Sequence, residues 1–247
     1  MPFIPAGYPD LKTTTALLPA LEAGGANAIE IGFPFSDPVA DGPTIQAAFT
    51  SALAHKVKVA DVFAAIAKAR ANVSIPLVGM VSYSIVFRYG LDRFLADART
   101  AGVNGLILPD VPPPESQPIC GKIRAAGLDT VLLVSPTTSP QRRQEIAALC
   151  SGFVYYLSIT GITGARDTLP PDIEQNVRQL RAVSQVPVCV GFGVSKPEHL
   201  AQLAGFADGA IVGSALVRKI KESEESGPIG TAEALRTWCQ SLLKLVR

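Results

Sequence analysis

A helix that ends in Ala-Gly and leads straight into a short apolar strand recurs along this sequence, and no other feature limits the possible folds as sharply. The clearest copies are LEAGGANAIEIGFP (Leu21 to Pro34), RTAGVNGLILPDV (Arg99 to Val111), RAAGLDTVLLVSP (Arg124 to Pro136) and LAGFADGAIVGSA (Leu203 to Ala215). Glycine after a helix suits the left-handed position just past its last turn. A continuous apolar run suits a parallel strand covered on both faces. Phe3–Ala6, Pro76–Met80, Phe153–Leu157 and Pro187–Gly191 supply four more such runs. Eight strands, each followed by helical sequence, predict an α/β fold, a single (β/α)8 barrel spanning residues 1–247. Periodicity alone leaves an open doubly wound sheet as the alternative.

The length of 247 residues suits one such barrel, which typically takes about 250. Apolar residues make up 48% and charged residues 17%, with a formal net charge of +1. That balance predicts a packed globular chain with no footprint for nucleic acid or an anionic membrane. Gly, Pro or charge interrupts every apolar run before membrane-spanning length, and the opening MPFIPAGYPD does not read as a signal peptide. The four cysteines, Cys120, Cys150, Cys189 and Cys239, lie far apart with no CxxC, so they predict unpaired thiols in a reducing compartment rather than a metal site. Only two histidines occur, His55 and His199, both in helical stretches. They are expected at the surface, which leaves acid–base chemistry to carboxylates. Glu222–Gly230 is expected to be a loop before a last helix, Thr231–Leu245.

In a barrel of this kind the residues just after each strand form one rim, where active sites lie. The densest rim sequence is Glu30-Ile-Gly-Phe-Pro-Phe-Ser-Asp-Pro-Val-Ala-Asp-Gly-Pro-Thr44. Glu30 interrupts an apolar strand, where burial raises a carboxyl's pKa and permits proton exchange near neutrality; a satisfied structural ion pair is the other reading. Pro43 and Thr44 look like a helix entry, so Asp37 or Asp41 is open to a capping role. A second group follows strands six to eight: Gly161-Ile-Thr-Gly164, Gly191-Phe-Gly193 and Gly213-Ser214. Glycines at consecutive strand ends, with Ser214 opening a short helix to Lys221, predict a phosphate site. Phe3, Tyr83, Tyr155 and Phe192 are candidates for an apolar pocket near the same rim, with core packing as the alternative. Asp110, in Leu-Pro-Asp, is a third rim carboxylate that either accepts a ring N–H or holds its loop.

These residues resemble the tryptophan synthase alpha subunit family over essentially the whole chain. The most specific stretch is EIGFPFSDPVADGPTIQ (Glu30–Gln46), and GYPD, LPDVP (Leu108–Pro112), SITGITGAR (Ser158–Arg166), GFGVS (Gly191–Ser195) and GSALV (Gly213–Val217) follow in order. The resemblance implies that Glu30 and Asp41 are the catalytic pair. It makes Gly164, Gly193, Gly213 and Ser214 the phosphate-binding positions. Phe3, Tyr155, Thr163 and Phe192 line the indole pocket or close the site. The implied reaction is retro-aldol cleavage of indole-3-glycerol phosphate to indole and glyceraldehyde 3-phosphate in the cytoplasm, without a cofactor of the chain's own. A β subunit carrying pyridoxal phosphate is the implied partner in an α2β2 heterotetramer, docked over the second and neighbouring rim loops; a stand-alone lyase releasing free indole is the alternative. Loops Pro34–Pro43 and Ser158–Leu169 are expected to order on substrate binding, with Thr163 meeting Asp41. Two departures stand out. The chain opens almost directly on strand 1, where the family usually has a capping helix, so apolar surface at that end is expected to be less covered. Ser84 also stands where the family more often shows an amide-bearing stretch.

Overall fold

The computed structural model describes residues 1–37, 41–111, 113–158, 169–191 and 193–246. Eight parallel strands pair in sequence order: β1 (Phe3–Pro5), β2 (Ile29–Gly32), β3 (Leu77–Met80), β4 (Gly105–Ile107), β5 (Asp129–Val134), β6 (Val154–Leu157), β7 (Val188–Gly191) and β8 (Gly209–Ala210). The sheet closes on itself. A parallel bridge joins Pro2 to Val212, with Phe3 N donating to Val212 O and Val212 N to Met1 O, both at 3.0 Å. The barrel therefore stands and the open sheet does not.

The helices form the outer ring: α1 (Leu11–Ala23), α2 (Pro43–Ala54), α3 (Val59–Arg70), α4 (Tyr83–Tyr89), α5 (Leu91–Ala101), α6 (Pro113–Ala125), α7 (Pro140–Leu149), α8 (Ile173–Val183), α9 (Pro197–Ala204), α10 (Ser214–Ser223) and α11 (Gly227–Leu242). Local chemistry sets their ends. Asp10 caps α1 by accepting from Thr13 N at 2.6 Å, and Ser139 caps α7 ahead of Pro140. Gly102 after α5 and Gly127 after α6 take φ of 90° and 74°, the left-handed conformation that an L side chain resists. The fourth copy of the repeat differs, since Gly205 ends α9 in a right-handed conformation at φ −72°.

The stretch expected as a loop at Glu222–Gly230 is mostly helical. α10 runs on to Ser223, a 3-10 turn covers Glu224–Ser226, and α11 begins at Gly227. Pro228 occupies the first turn of α11, where its missing N–H costs nothing because helix starts leave those donors unpaired anyway. The surface expectation holds for His55, which is exposed, and fails for His199, which is 4% exposed. His199 turns back toward the chain before its own helix, where its ring accepts from Ser195 N. All four cysteines are buried and unpaired. Among the described residues no helix is long and apolar enough to cross a membrane.

The first and last helices meet, with Gln240 Nε2 donating to Ala23 O and Gly24 lying close against Cys239. At the N-terminal end of the strands, opposite the rim, a cavity of 510 Å³ is bounded by Pro2, Ala28, Leu200, Trp238, Cys239 and Leu242. On the outer face of β2 to β4 an aromatic cluster locks helices to the barrel. Phe94, fully buried, lies 5.1 Å from Phe63, 5.7 Å from Phe33 and 5.9 Å from Tyr89 between ring centroids. We predict that Phe94→Ala lowers the unfolding free energy by about 3–5 kcal/mol through lost transfer and cavity terms. Urea denaturation measures this, and a loss under about 1 kcal/mol would show that the cluster is not a core element.

Candidate active site

Glu30 lies in the middle of β2, paired in register with Phe3 on β1 and Val78 on β3. It is 1% exposed, and neither carboxyl oxygen has a hydrogen-bond partner among the described residues. Among the described residues it is therefore not the satisfied ion pair considered from the sequence. A buried polar group without partners costs on the order of 1–3 kcal/mol, more when charged, so this position is maintained against stability. Burial pushes the Glu30 carboxyl up to about 8, and the negative charge of Asp41 adds to the rise.

Asp41 lies on the loop leading into α2. The cap of α2 is Gly42, in extended conformation with no side-chain capping bond, and Pro43 occupies the first turn. Asp41 is therefore not the helix cap that its position suggested. Its backbone carbonyl accepts from Gln46 Nε2 at 2.7 Å, which fastens it to the first turn of the helix. The residue is half-buried, and burial raises its carboxyl to about 6. Asp37, the other acid of the loop, is exposed.

Tyr155 faces this pair from β6, across the barrel. Its phenol is held well above its ordinary pKa, first by burial and then by the charges of Glu30 and Asp41. Its ring depends on Gly191 of β7, because a β-carbon there would overlap the tyrosine hydroxyl. Phe3 is buried on β1, edge-on to Phe49 at 6.5 Å and against Gly32. Gly213 lies nearby, its β-carbon position 3.8 Å from the Phe3 ring, and Ser214 opens α10 directly after it. Gly193, at φ 83°, follows β7. The structure thus brings Gly193, Gly213 and Ser214 to neighbouring strand ends. Thr163, Gly164 and Phe192 lie outside the described residues, as do 38–40 of the first loop expected to order and 159–168, most of the second.

Asp110 and Tyr83 belong to one arrangement. Asp110 accepts from Ser82 Oγ at 2.6 Å and from Tyr83 N at 2.7 Å, and so fixes the start of α4; Ser84 joins through its hydroxyl, 2.7 Å from that of Ser82. This is the loop-holding role, one of the two left open for Asp110. The Tyr83 ring sits 6.4 Å from Phe87, which is 72% exposed.

One buried group gave no sequence signal. Arg143, in a run of polar residues on α7, donates to Thr138 O, Pro136 O and Asn176 Oδ1, tying the loop after β5 to α8. An arginine in QRRQE reads as solvated, and only the fold turns it inward.

A family model described as tryptophan synthase alpha chain matches residues 1–246. A tryptophan synthase alpha chain of Chloroflexus aggregans is 43% identical over 95% of this chain and 88% of its own length. One from a Picosynechococcus strain is 42% identical over all of this chain and 92% of its own. Among solved structures, the tryptophan synthase A-subunit of Pyrococcus furiosus superposes with a TM-score of 0.88 at 35% identity, covering 99% of this chain and 96% of that one. Tryptophan synthase of Mycobacterium tuberculosis gives 0.87 at 39% identity, covering 100% and 91%.

The pKa of Glu30 has a thermodynamic consequence. Between pH 4.5 and 8 the unfolded chain releases this proton while the native state keeps it, so stability falls as pH rises through that window and levels off above it. We predict that Glu30→Gln, neutral at every pH, stabilises the protein by an amount that grows from pH 5 to pH 8, reaching on the order of a few kcal/mol. Thermal unfolding across that range measures it, and a difference that does not change with pH would remove the raised carboxyl from the account.

Proposed function

The chain belongs to the tryptophan synthase alpha chain family, and from that premise we propose that it acts as a lyase, splitting indole-3-glycerol phosphate into indole and glyceraldehyde 3-phosphate within tryptophan biosynthesis. The observation that carries this reading is Glu30, a buried carboxyl with no hydrogen-bond partner among the described residues, pushed by burial up to about 8. Breaking the bond at indole C3 requires that carbon to be protonated first, which makes the ring an iminium-like cation. Glu30 remains protonated near neutral pH and supplies that proton. The resulting carboxylate takes the proton of the adjacent glycerol hydroxyl, the electrons of that O–H bond form the aldehyde C=O, and the electrons of the broken C–C bond return to the ring. Glu30 ends in its starting state.

Asp41, with the lower pKa of about 6, is mostly ionised at the same pH and stabilises positive charge at the ring N–H. Two carboxyls set apart by their surroundings divide acid and charge-stabilising work. Phe3, Tyr155, Phe192 and Tyr83, whose helix start is held by Asp110, form the indole side. Gly193, Gly213 and Ser214, with Gly164, hold the phosphate at the other end and fix the substrate between the two. Thr163 meets Asp41 when the loops close. This route asks for no cofactor of the chain's own.

The partner is a β subunit that carries the pyridoxal phosphate and receives indole, in an α2β2 assembly of the cytoplasm. The exposed Phe87, beside Tyr83 on the helix that follows β3, supports docking over the rim. An exposed aromatic is the residue type that anchors interfaces. We predict that Phe87→Asp leaves basal indole formation within about twofold and weakens stimulation by the β subunit by tenfold or more in the β concentration required, roughly what loss of one anchor costs.

Formation of glyceraldehyde 3-phosphate from indole-3-glycerol phosphate, followed with and without a β subunit, tests the activity. Strong basal turnover with no stimulation would point to an independent lyase instead. Glu30→Gln is expected to lose about 10³-fold or more in kcat while still binding glycerol phosphate. For the parent enzyme, kcat/KM should fall above pH 8 as Glu30 loses its proton and below pH 6 as Asp41 gains one. A profile flat from pH 5 to 9 would overturn both assignments.

A further inference from the structure

His199 is a buried ionisable side chain that the reaction above does not use, and it stands directly behind the candidate phosphate loop. It is the third residue of α9, the helix that follows β7. The cap position of that helix, Lys196, makes no side-chain capping bond. His199 Nδ1 instead accepts the N–H of Ser195 at 3.3 Å, reaching back one residue beyond the cap. This is the reach of a capping-box side chain, made here by an imidazole. A nitrogen that accepts carries no proton, so the ring is neutral with its proton on Nε2.

The chain ahead of α9 is therefore held at two successive residues, Val194 and Ser195. Val194 is buried in the core beside β7, and Ser195 is bonded to His199. Immediately before them is Gly193, held at φ 83°. We propose that His199 is a positioning residue for phosphate recognition: its bond to Ser195 N holds the Gly193–Ser195 turn in the one conformation in which the backbone of Gly193 meets the phosphate. The inference rests on the phosphate reading of Gly193 given above. Without the bond, the turn must be ordered at the moment of binding, and that entropy is subtracted from affinity. The effect should fall on binding of the phosphorylated end and leave the proton transfers at Glu30 unchanged.

Three full-length proteins separate the possibilities: the parent, His199→Leu, which keeps volume without an acceptor, and His199→Gln, which keeps an acceptor. Inhibition by glycerol 3-phosphate and the separate kcat and KM for indole-3-glycerol phosphate are measured for each. His199→Leu should raise KM and the inhibition constant together by about three- to tenfold, the range one hydrogen bond spans, with kcat within about twofold. His199→Gln should recover most of the loss. Equal inhibition constants for parent and His199→Leu would overturn the role, as would a fall in kcat with KM unchanged. A parent protein that does not bind glycerol 3-phosphate at all overturns the phosphate reading itself.

Should His199→Leu not fold, nitrogen NMR of the His55→Gln protein reports on the remaining histidine alone, since the chain has only two. An unprotonated Nδ1 whose resonance moves on adding glycerol 3-phosphate supports the role. A protonated Nδ1, or a resonance indifferent to the ligand, overturns it.

Discussion

Burying the Glu30 carboxyl without a hydrogen-bond partner among the described residues sets conditions that much of the barrel meets. The described side chains that close the space around it make no hydrogen bond to it. Phe3 and Val78 flank it on the neighbouring strands, and Tyr155 limits it from the opposite wall. Glycine at 191 leaves room for that tyrosine ring. Asp41 is fastened through its carbonyl to Gln46 rather than spent as a helix cap, which leaves its carboxylate to act on the same space. A side chain in a closed apolar wall responds strongly to one nearby charge because little solvent screens it. The instability of one residue and the reactivity of the site are one physical quantity.

The repeat of helix, glycine and apolar run made the barrel legible because each unit is locally consistent. Gly102 and Gly127 adopt the left-handed turn that their position after a helix suggests. Reading failed where local chemistry has two solutions. Glycines and a proline at 227–230 signal a loop in most contexts, yet Pro228 fits the first turn of a helix and α11 packs against α1. Tertiary packing decided between them, and packing between residues more than 200 positions apart leaves no local trace.

The site was legible unevenly for the same reason. Glu30 announced itself as a charge inside an apolar strand. Asp41 did not, because an acid before Pro-Thr is an ordinary helix entry, and only the cap at Gly42 separates the two readings. His199 and Arg143 sit in polar helical stretches whose composition is that of solvated faces, and both are buried. Each turns inward to serve a backbone group, His199 the N–H of Ser195 and Arg143 the carbonyls of Pro136 and Thr138. A sequence records which residues are polar and leaves out which backbone groups will need them.

The closure between β8 and β1 bears on when the site comes into being. Met1 N reaches Ala210 O at 2.8 Å across 209 residues of chain, and the Pro2–Val212 bridge lies beside it. Contacts of such separation form only after the intervening chain has been brought together. On a ribosome, β1 and β2 emerge early and expose Glu30 to water as an ordinary surface acid. Its raised proton affinity belongs to the folded barrel, because the burial that causes it requires the neighbouring strands to be in place.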